Sequence, residues 1–195
     1  MKESLVDFIK KTGAKRNFTS KEISEEVLRK VIDAGVWGLS ILGIQPWCFV
    51  VIRSEDVITK IADICSEKSE NFNDSGKIIL RTTAKTLRKT RILVAVYNNN
   101  ELQRRVGKYR DKDILERAWM AELLAIGGAL QNMFLTANAE GLSAVWVDSP
   151  AFFAGEVNKV LGEDGNLVAF LALGYSEASA HRSKRRPFKE QVKIV

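Results

Sequence analysis

"SEEVLRKVIDAGVWGLSILGIQPWCFVVI", residues 24–52, decides how the rest of the chain is read. It leads an amphipathic helix into a strand through a short polar loop. Ser24 is a good N-cap, Ile23 before it suits a hydrophobic staple, and Glu25 and Glu26 complement the first turn. Val27, Leu28, Val31, Ile32 and Gly35 then share one face at helical spacing. Residues 47–53 read as a strand. Between the two, Ser40, Gly43, Gln45 and Pro46 set polar groups and a rigid residue at the mouth of that strand. On the residues alone two readings stay open: loop hydrogen bonds closing an ordinary connection, or a polar grip on a ligand. Trp47 reads as core packing.

Outward from this stretch, Leu5, Phe8 and Ile9 stand at helical spacing within residues 3–11. A further helix is expected at about 55–67. Residues 72–91 are polar and basic, and are expected to be partly helical or mobile. "RILVAVY", residues 91–97, is too uniformly apolar for alternation and suits a central strand. The longest helix is expected at about 111–140, with Gly141 ending it. "SAVWV" and "LVAFLALGY" read as buried strands, with a short helix at about 153–161 between them. The order implies an α+β or mixed α/β fold around a central sheet. Neither a repeat nor an internal linker divides it, so residues 1–195 are expected to form one domain.

The chain is 46% hydrophobic and 28% charged, an ordinary globular balance. Its most apolar long stretch, residues 118–136, contains Glu122, Gln131 and Asn132 and three small residues, Gly127, Gly128 and Ala129. That reads as a buried helix and not as a membrane span. Residues 1–4 lead into an amphipathic segment with no apolar signal core. Cys48 and Cys65 have no metal-ligand spacing and fit a reducing compartment. A cytoplasmic protein is expected.

The net charge of +6 is unevenly placed. Residues 75–100 hold Lys77, Arg81, Lys85, Arg88, Lys89 and Arg91 and no acid. Residues 178–189 hold Arg182, Lys184, Arg185, Arg186 and Lys189, again with no acid. Elsewhere the acidic groups are in excess. The plain reading is a solvated surface; the functional one is an anion site, with phosphate the usual candidate.

Motifs for other chemistries are missing. "AIGGAL" lies inside a helix, so it is no dinucleotide fingerprint, and there is no phosphate-binding GxxxxGK[ST] loop. His181 is the one histidine and lies in the tail, which leaves serine or cysteine triads without a base. If the chain is an enzyme, a cofactor carries the hard step.

The opening stretch resembles the N-terminal signature of the flavin-dependent nitroreductase family: a helix, a short serine-containing loop, Gln-Pro-Trp, and the first strand. "AKRNF" at residues 14–18 resembles that family's basic segment ahead of the helix. "GGALQNMFLTANAEGLSAVWV" at 127–147 resembles its central helix and next strand, and "LALGYSEASAHRSKRRPF" its last core strand and basic C-terminal segment. The pieces occur in the family's order along nearly the whole chain.

The resemblance implies a three-layer α+β fold, a mostly antiparallel central sheet flanked by helices, assembled as a homodimer with FMN at the subunit interface. It places Arg16 near the flavin pyrimidine edge, accompanied by Ala14 and Lys15. Ser40, Gly43 and Gln45 line the pocket, Lys85 reaches the ribityl chain or phosphate, and Lys184, Arg185 and Arg186 hold the phosphate. It also implies ping-pong transfer of hydride from NADH or NADPH through flavin N5 to an electron-poor acceptor such as a nitroaromatic or quinone. The sequence departs from the family pattern at Thr12, Ala14, Leu39 and Gly43, where an arginine, a serine, a proline and an asparagine are usual. The rival expectation is a flavin-poor, non-catalytic member of the fold that binds an anion or nucleic acid. Against nucleic acid, Phe188 is the only aromatic in the two basic segments 77–91 and 182–189. Dimer formation has support from the residues too. Trp119, Leu123, Leu124, Ile126, Leu130, Met133 and Phe134 surround the long helix on too many sides for a surface helix.

Overall fold

The computed structural model describes residues 4–109, 111–180 and 183–195. His181 and Arg182, singled out above, lie outside the described residues. Strands β1 (Trp47–Ile52), β2 (Ile92–Asn98), β3 (Ser143–Val147) and β4 (Asn166–Gly174) form one sheet in the order β1-β2-β4-β3. Every neighbouring pair is antiparallel. Strand β2 is central, pairs on both sides, and is buried along its whole length, as its uninterrupted apolar run requires. Trp47 is buried in the core, as expected.

Alternate residues of β2 feed two different cores. Ile92, Val94 and Val96 pack with helices α2 (Glu25–Val36) and α6 (Lys112–Ala139). Leu93, Ala95 and Tyr97 pack with α3 (Glu55–Ser69), α4 (Asp74–Leu87) and α7 (Ala154–Leu161). Successive side chains of a strand point to opposite faces, so the helices cover the sheet on both sides and the architecture has three layers. Short helices α1 (Leu5–Lys11), α5 (Glu101–Val106) and α8 (Phe188–Gln191) complete the fold among the described residues.

The helix starts follow from their caps. Ser24 accepts from the Val27 amide and Ser54 from that of Val57. Asn73 accepts from Gly76, and Asp111 accepts from Asp113 and Ile114. Gly141, at φ +78°, follows the end of α6, where a side chain would be strained. Helices α2 and α6 approach closely at Gly35: a Cβ there would lie 2.7 Å from Met133 Sδ.

Of the alternatives for residues 72–91 the helical one holds, and one further helix was not expected. Residues 74–87 are helical throughout, because Asn73 caps them and Leu80, Ala84 and Leu87 bury one face. The polar composition that suggested mobility belongs to the other face. Helix α5 was not expected. Its start is held by a carboxylate twenty residues along the chain, which no local pattern shows.

Candidate functional site

The segment carrying Arg16 is anchored at its C-terminal side. The Phe18 ring is buried against Gly174, and the Thr19 amide donates to the Tyr175 carbonyl at 2.8 Å. The anchor leaves no slack. A Cβ on Gly174 would sit 2.6 Å from Phe18 Cδ1 and 2.9 Å from Phe18 Cβ, so ring rotation alone cannot relieve it. Gly174→Val is therefore expected to destabilise the protein by about 1–3 kcal/mol. A thermal melt should show a fall of several degrees, and an unchanged midpoint would show that the segment yields freely.

Beyond this anchor Arg16 reaches two adjoining cavities that share Arg16, Val145 and Trp146. One, of about 300 Å³, is also lined by Ala14, Gln131 and Phe134. The other, of about 240 Å³, is bounded by Ile78, Ile79, Thr82, Thr83 and Thr86 of α4 and by Asp148 and Ser149 after β3. Arg16 has no ion-pair partner among the described residues. The arrangement is an aromatic and aliphatic wall at Ile78, Ile79, Phe134, Val145 and Trp146, with threonine and serine hydroxyls and the Asp148 carboxylate on one side and the uncommitted Arg16 guanidinium. It fits a flat ring system whose edge carries hydrogen-bond acceptors or developing negative charge. Lys85 is exposed one turn from Thr82 on α4 and is likewise unpaired among the described residues. Lys15 lines neither cavity.

Ser40, Gly43 and Gln45 lie apart from Arg16 within one chain. They line another cavity, of about 380 Å³, with Val36, Trp37, Gly38 and Leu39. Their loop is sharply bent: Leu42, Gly43 and Gln45 all have positive φ, at 50°, 64° and 45°. Two of these are not glycine, and such strain persists only where the surroundings enforce it. Ser40 Oγ accepts from the Gln45 amide at 3.2 Å. Asn99 donates its side-chain amide to the Gln45 carbonyl at 3.2 Å and its backbone amide to the Pro46 carbonyl at 2.7 Å. Ile44 is buried against Leu102 and Ala118. The loop hydrogen bonding considered from the sequence is thus real for Ser40, and it fixes the loop in a shape that opens at Gly43, where a Cβ would meet nothing within 4 Å.

Lys184, Arg185 and Arg186 are exposed and line none of these cavities. The other basic segment is largely neutralised by helix α3 and the turn after it. Lys77 and Arg81 both bind Glu70, at 2.6 and 2.8 Å; Arg88 binds Asp63 at 2.6 Å; and Arg91 pairs with Glu55. The Lys77 ammonium, followed by the Arg81 guanidinium, holds the Glu70 carboxyl down at about 2. The two Glu70 pairs therefore survive at any near-neutral pH. Four of the six basic groups in residues 75–100 are thus paired with acids of the preceding helix and the turn after it, which leaves Lys85 and Lys89 without an ion-pair partner among the described residues.

Sequence reasoning missed Thr82, Thr83, Thr86 and Trp146 as cavity lining. The hydroxyls in "LRTTAKT" fall close together on one side of a helix, which was the available signal. It also missed Glu122. This fully buried carboxylate accepts from the Leu102 amide (2.6 Å), the Gln103 amide (3.3 Å), Asn98 Nδ2 (3.0 Å) and Gln103 Nε2 (2.8 Å). A lone acid in an apolar helix was the signal, since such a group is retained only when its oxygens are satisfied.

The chain belongs to the Nitroreductase family, whose profile matches residues 9–175. It is similar over its full length to a BluB-like flavoprotein of Clostridium difficile 630, with 25% identity, a TM-score of 0.83 and 100% of both chains covered. A "putative nitroreductase" of Desulfovibrio desulfuricans, solved with FMN, shares the fold at a TM-score of 0.77 and 24% identity, over 100% of this chain and 98% of that one. A protein of Methanothermobacter thermautotrophicus named "Putative NADH dehydrogenase/NAD(P)H nitroreductase" is 30% identical over 63 residues. That stretch covers 32% of this chain and only a third of that relative's length. The likenesses support a flavin oxidoreductase, and the α+β fold expected from the sequence is the fold observed. No described helix is long and apolar enough to cross a membrane.

Proposed function

We propose that the protein is an FMN-dependent oxidoreductase that takes hydride from NADH or NADPH and delivers it to a small electron-poor acceptor such as a nitroaromatic or quinone. The observation that carries this reading is the unpaired Arg16 at the edge of the Trp146-lined cavities. Bound FMN would supply the redox centre, accepting hydride at N5 and passing it on. Arg16 would favour the more negative, reduced ring, with Lys85 near the ribityl chain or phosphate. Lys184, Arg185 and Arg186, all exposed, would reach the phosphate as charge-assisted donors.

We further infer a homodimer whose second copy completes the site. Trp37, Leu39 and Leu42 are 80%, 89% and 81% exposed around the Ser40 loop, and Leu124 on α6 is 77% exposed. Gly127 and Gly128 beside it leave open space for a close neighbour. So much exposed apolar surface marks an interface. A second copy seated there can carry its Ser40 loop to the Arg16 cavities, which one chain holds apart. Denatured pure protein is expected to release FMN, and anaerobic NADH or NADPH to bleach its yellow colour. Light scattering at micromolar concentration is expected to give the dimer mass. A colourless protein that takes up no added FMN, or a stable monomer, would reject the corresponding half of the proposal.

A further inference from the structure

We propose that Glu122 is a positioning residue for the Ser40–Gln45 loop, acting through the Asn98–Asn99–Asn100 turn. The chain of contacts is continuous. Glu122 holds Asn98 Nδ2 at 3.0 Å, and Asn98 Oδ1 accepts from the Asn100 amide at 2.9 Å. Asn100 is thereby kept in its left-handed conformation, φ 55°, which is tolerable for asparagine. Gln103 and Asn166 add their side-chain amides to Asn100 Oδ1, at 3.1 and 3.3 Å. Between these fixed neighbours Asn99 is aimed at the loop. It holds the Gln45 and Pro46 carbonyls, while its own Oδ1 accepts from the Glu101 amide at 3.0 Å.

The same carboxylate also docks α5, since it accepts from the Leu102 and Gln103 amides. Leu102 in turn packs on Ile44, the residue between Gly43 and Gln45. The loop is therefore gripped twice from one buried group: by hydrogen bonds through Asn99 and by apolar contact through Leu102. Leu42 and Gln45 sit at positive φ, and a strained loop relaxes unless its neighbours forbid it. Glu122 supplies the fixed point. A satisfied hydrogen-bond network with a buried centre rigidifies what it touches, and the buried carboxylate in this one accepts four bonds. The inference rests on the proposed flavin site only for what the loop is for; the positioning itself is a property of the chain without cofactor.

The test therefore has two readouts. Hydrogen exchange on the protein stripped of flavin should show faster exchange at residues 40–46 and 98–103 in Glu122→Gln, with α3, α4 and β3 unchanged. The glutamine keeps the shape but turns one acceptor into a donor facing N–H groups. FMN affinity should fall by about tenfold or more in Glu122→Gln, and comparably in Asn99→Ala. The double variant should be scarcely worse than the weaker single one, because both cut one chain of contacts. A loop as protected in Glu122→Gln as in the native protein overturns the proposal, and so do additive effects on affinity. Should Glu122→Gln fail to fold, Asn98→Ala severs the same link while leaving the bonds to α5, and the same outcomes decide. If the native protein takes up no FMN, the flavin reading falls while hydrogen exchange still decides the positioning.

Discussion

Alanine at position 122 is expected to cost the fold at least about 3 kcal/mol, because each buried N–H left unpaired loses about 1–3 kcal/mol. Glu122 has no exposed surface, and four N–H groups converge on it. Removing the carboxylate leaves the buried Leu102 amide and Asn98 side-chain amide without an acceptor, and α5 loses the acceptor at its start. With a urea m-value of roughly 2 kcal/mol/M, the midpoint should fall by about 1.5 M with little change in slope. Native and variant proteins must be compared at one chain concentration, since a dimer's stability depends on it. A loss below about 1 kcal/mol would mean that water or a rearranged α5 satisfies these donors.

The second large effect concerns Arg16, on the proposed flavin reading. A cation beside the ring edge attracts the reduced, anionic ring more than the oxidised one, and that difference sets the potential. Arg16→Gln is expected to lower the two-electron potential by roughly 30 mV for each 1.4 kcal/mol of differential stabilisation removed. Oxidised FMN should still bind, and NADH-driven reduction should slow. No salt bridge from Arg16 to Glu22 or Asp33 forms among the described residues. Spectroelectrochemical titration of both proteins, saturated with FMN, decides the matter. Equal midpoints would remove Arg16 from the redox chemistry and leave it a binding or structural role.

The candidate site was only partly legible. Arg16 and the Ser40 loop could be singled out because each lies in a stretch that resembles the family pattern, and each lines a cavity. What the pattern could not show is that Thr82 and Trp146, from distant segments, share a wall with Arg16. Nor could it show that Asn99 holds the Gln45 carbonyl across 54 residues of sequence. The charge count in residues 75–100 was incomplete for the same reason. It summed neighbours along the chain, whereas Glu70, Asp63 and Glu55 are neighbours in space.

By itself the sequence determined most of the elements and their burial, helix α5 excepted. Helix α2 is set by a serine cap and a 3.6-residue apolar stripe, and β2 by an unbroken apolar run that only a central, doubly covered strand can bury. These are short-range consequences of backbone geometry and water, so they can be read locally. Tertiary structure alone decided which charges are neutralised, what satisfies Glu122, and why Leu42 and Gln45 tolerate positive φ. Each of these depends on groups that meet only once the strands have taken the order β1-β2-β4-β3 and the helices have closed over the sheet. Their energies come from direct contacts across long loops of chain, and no local period encodes them.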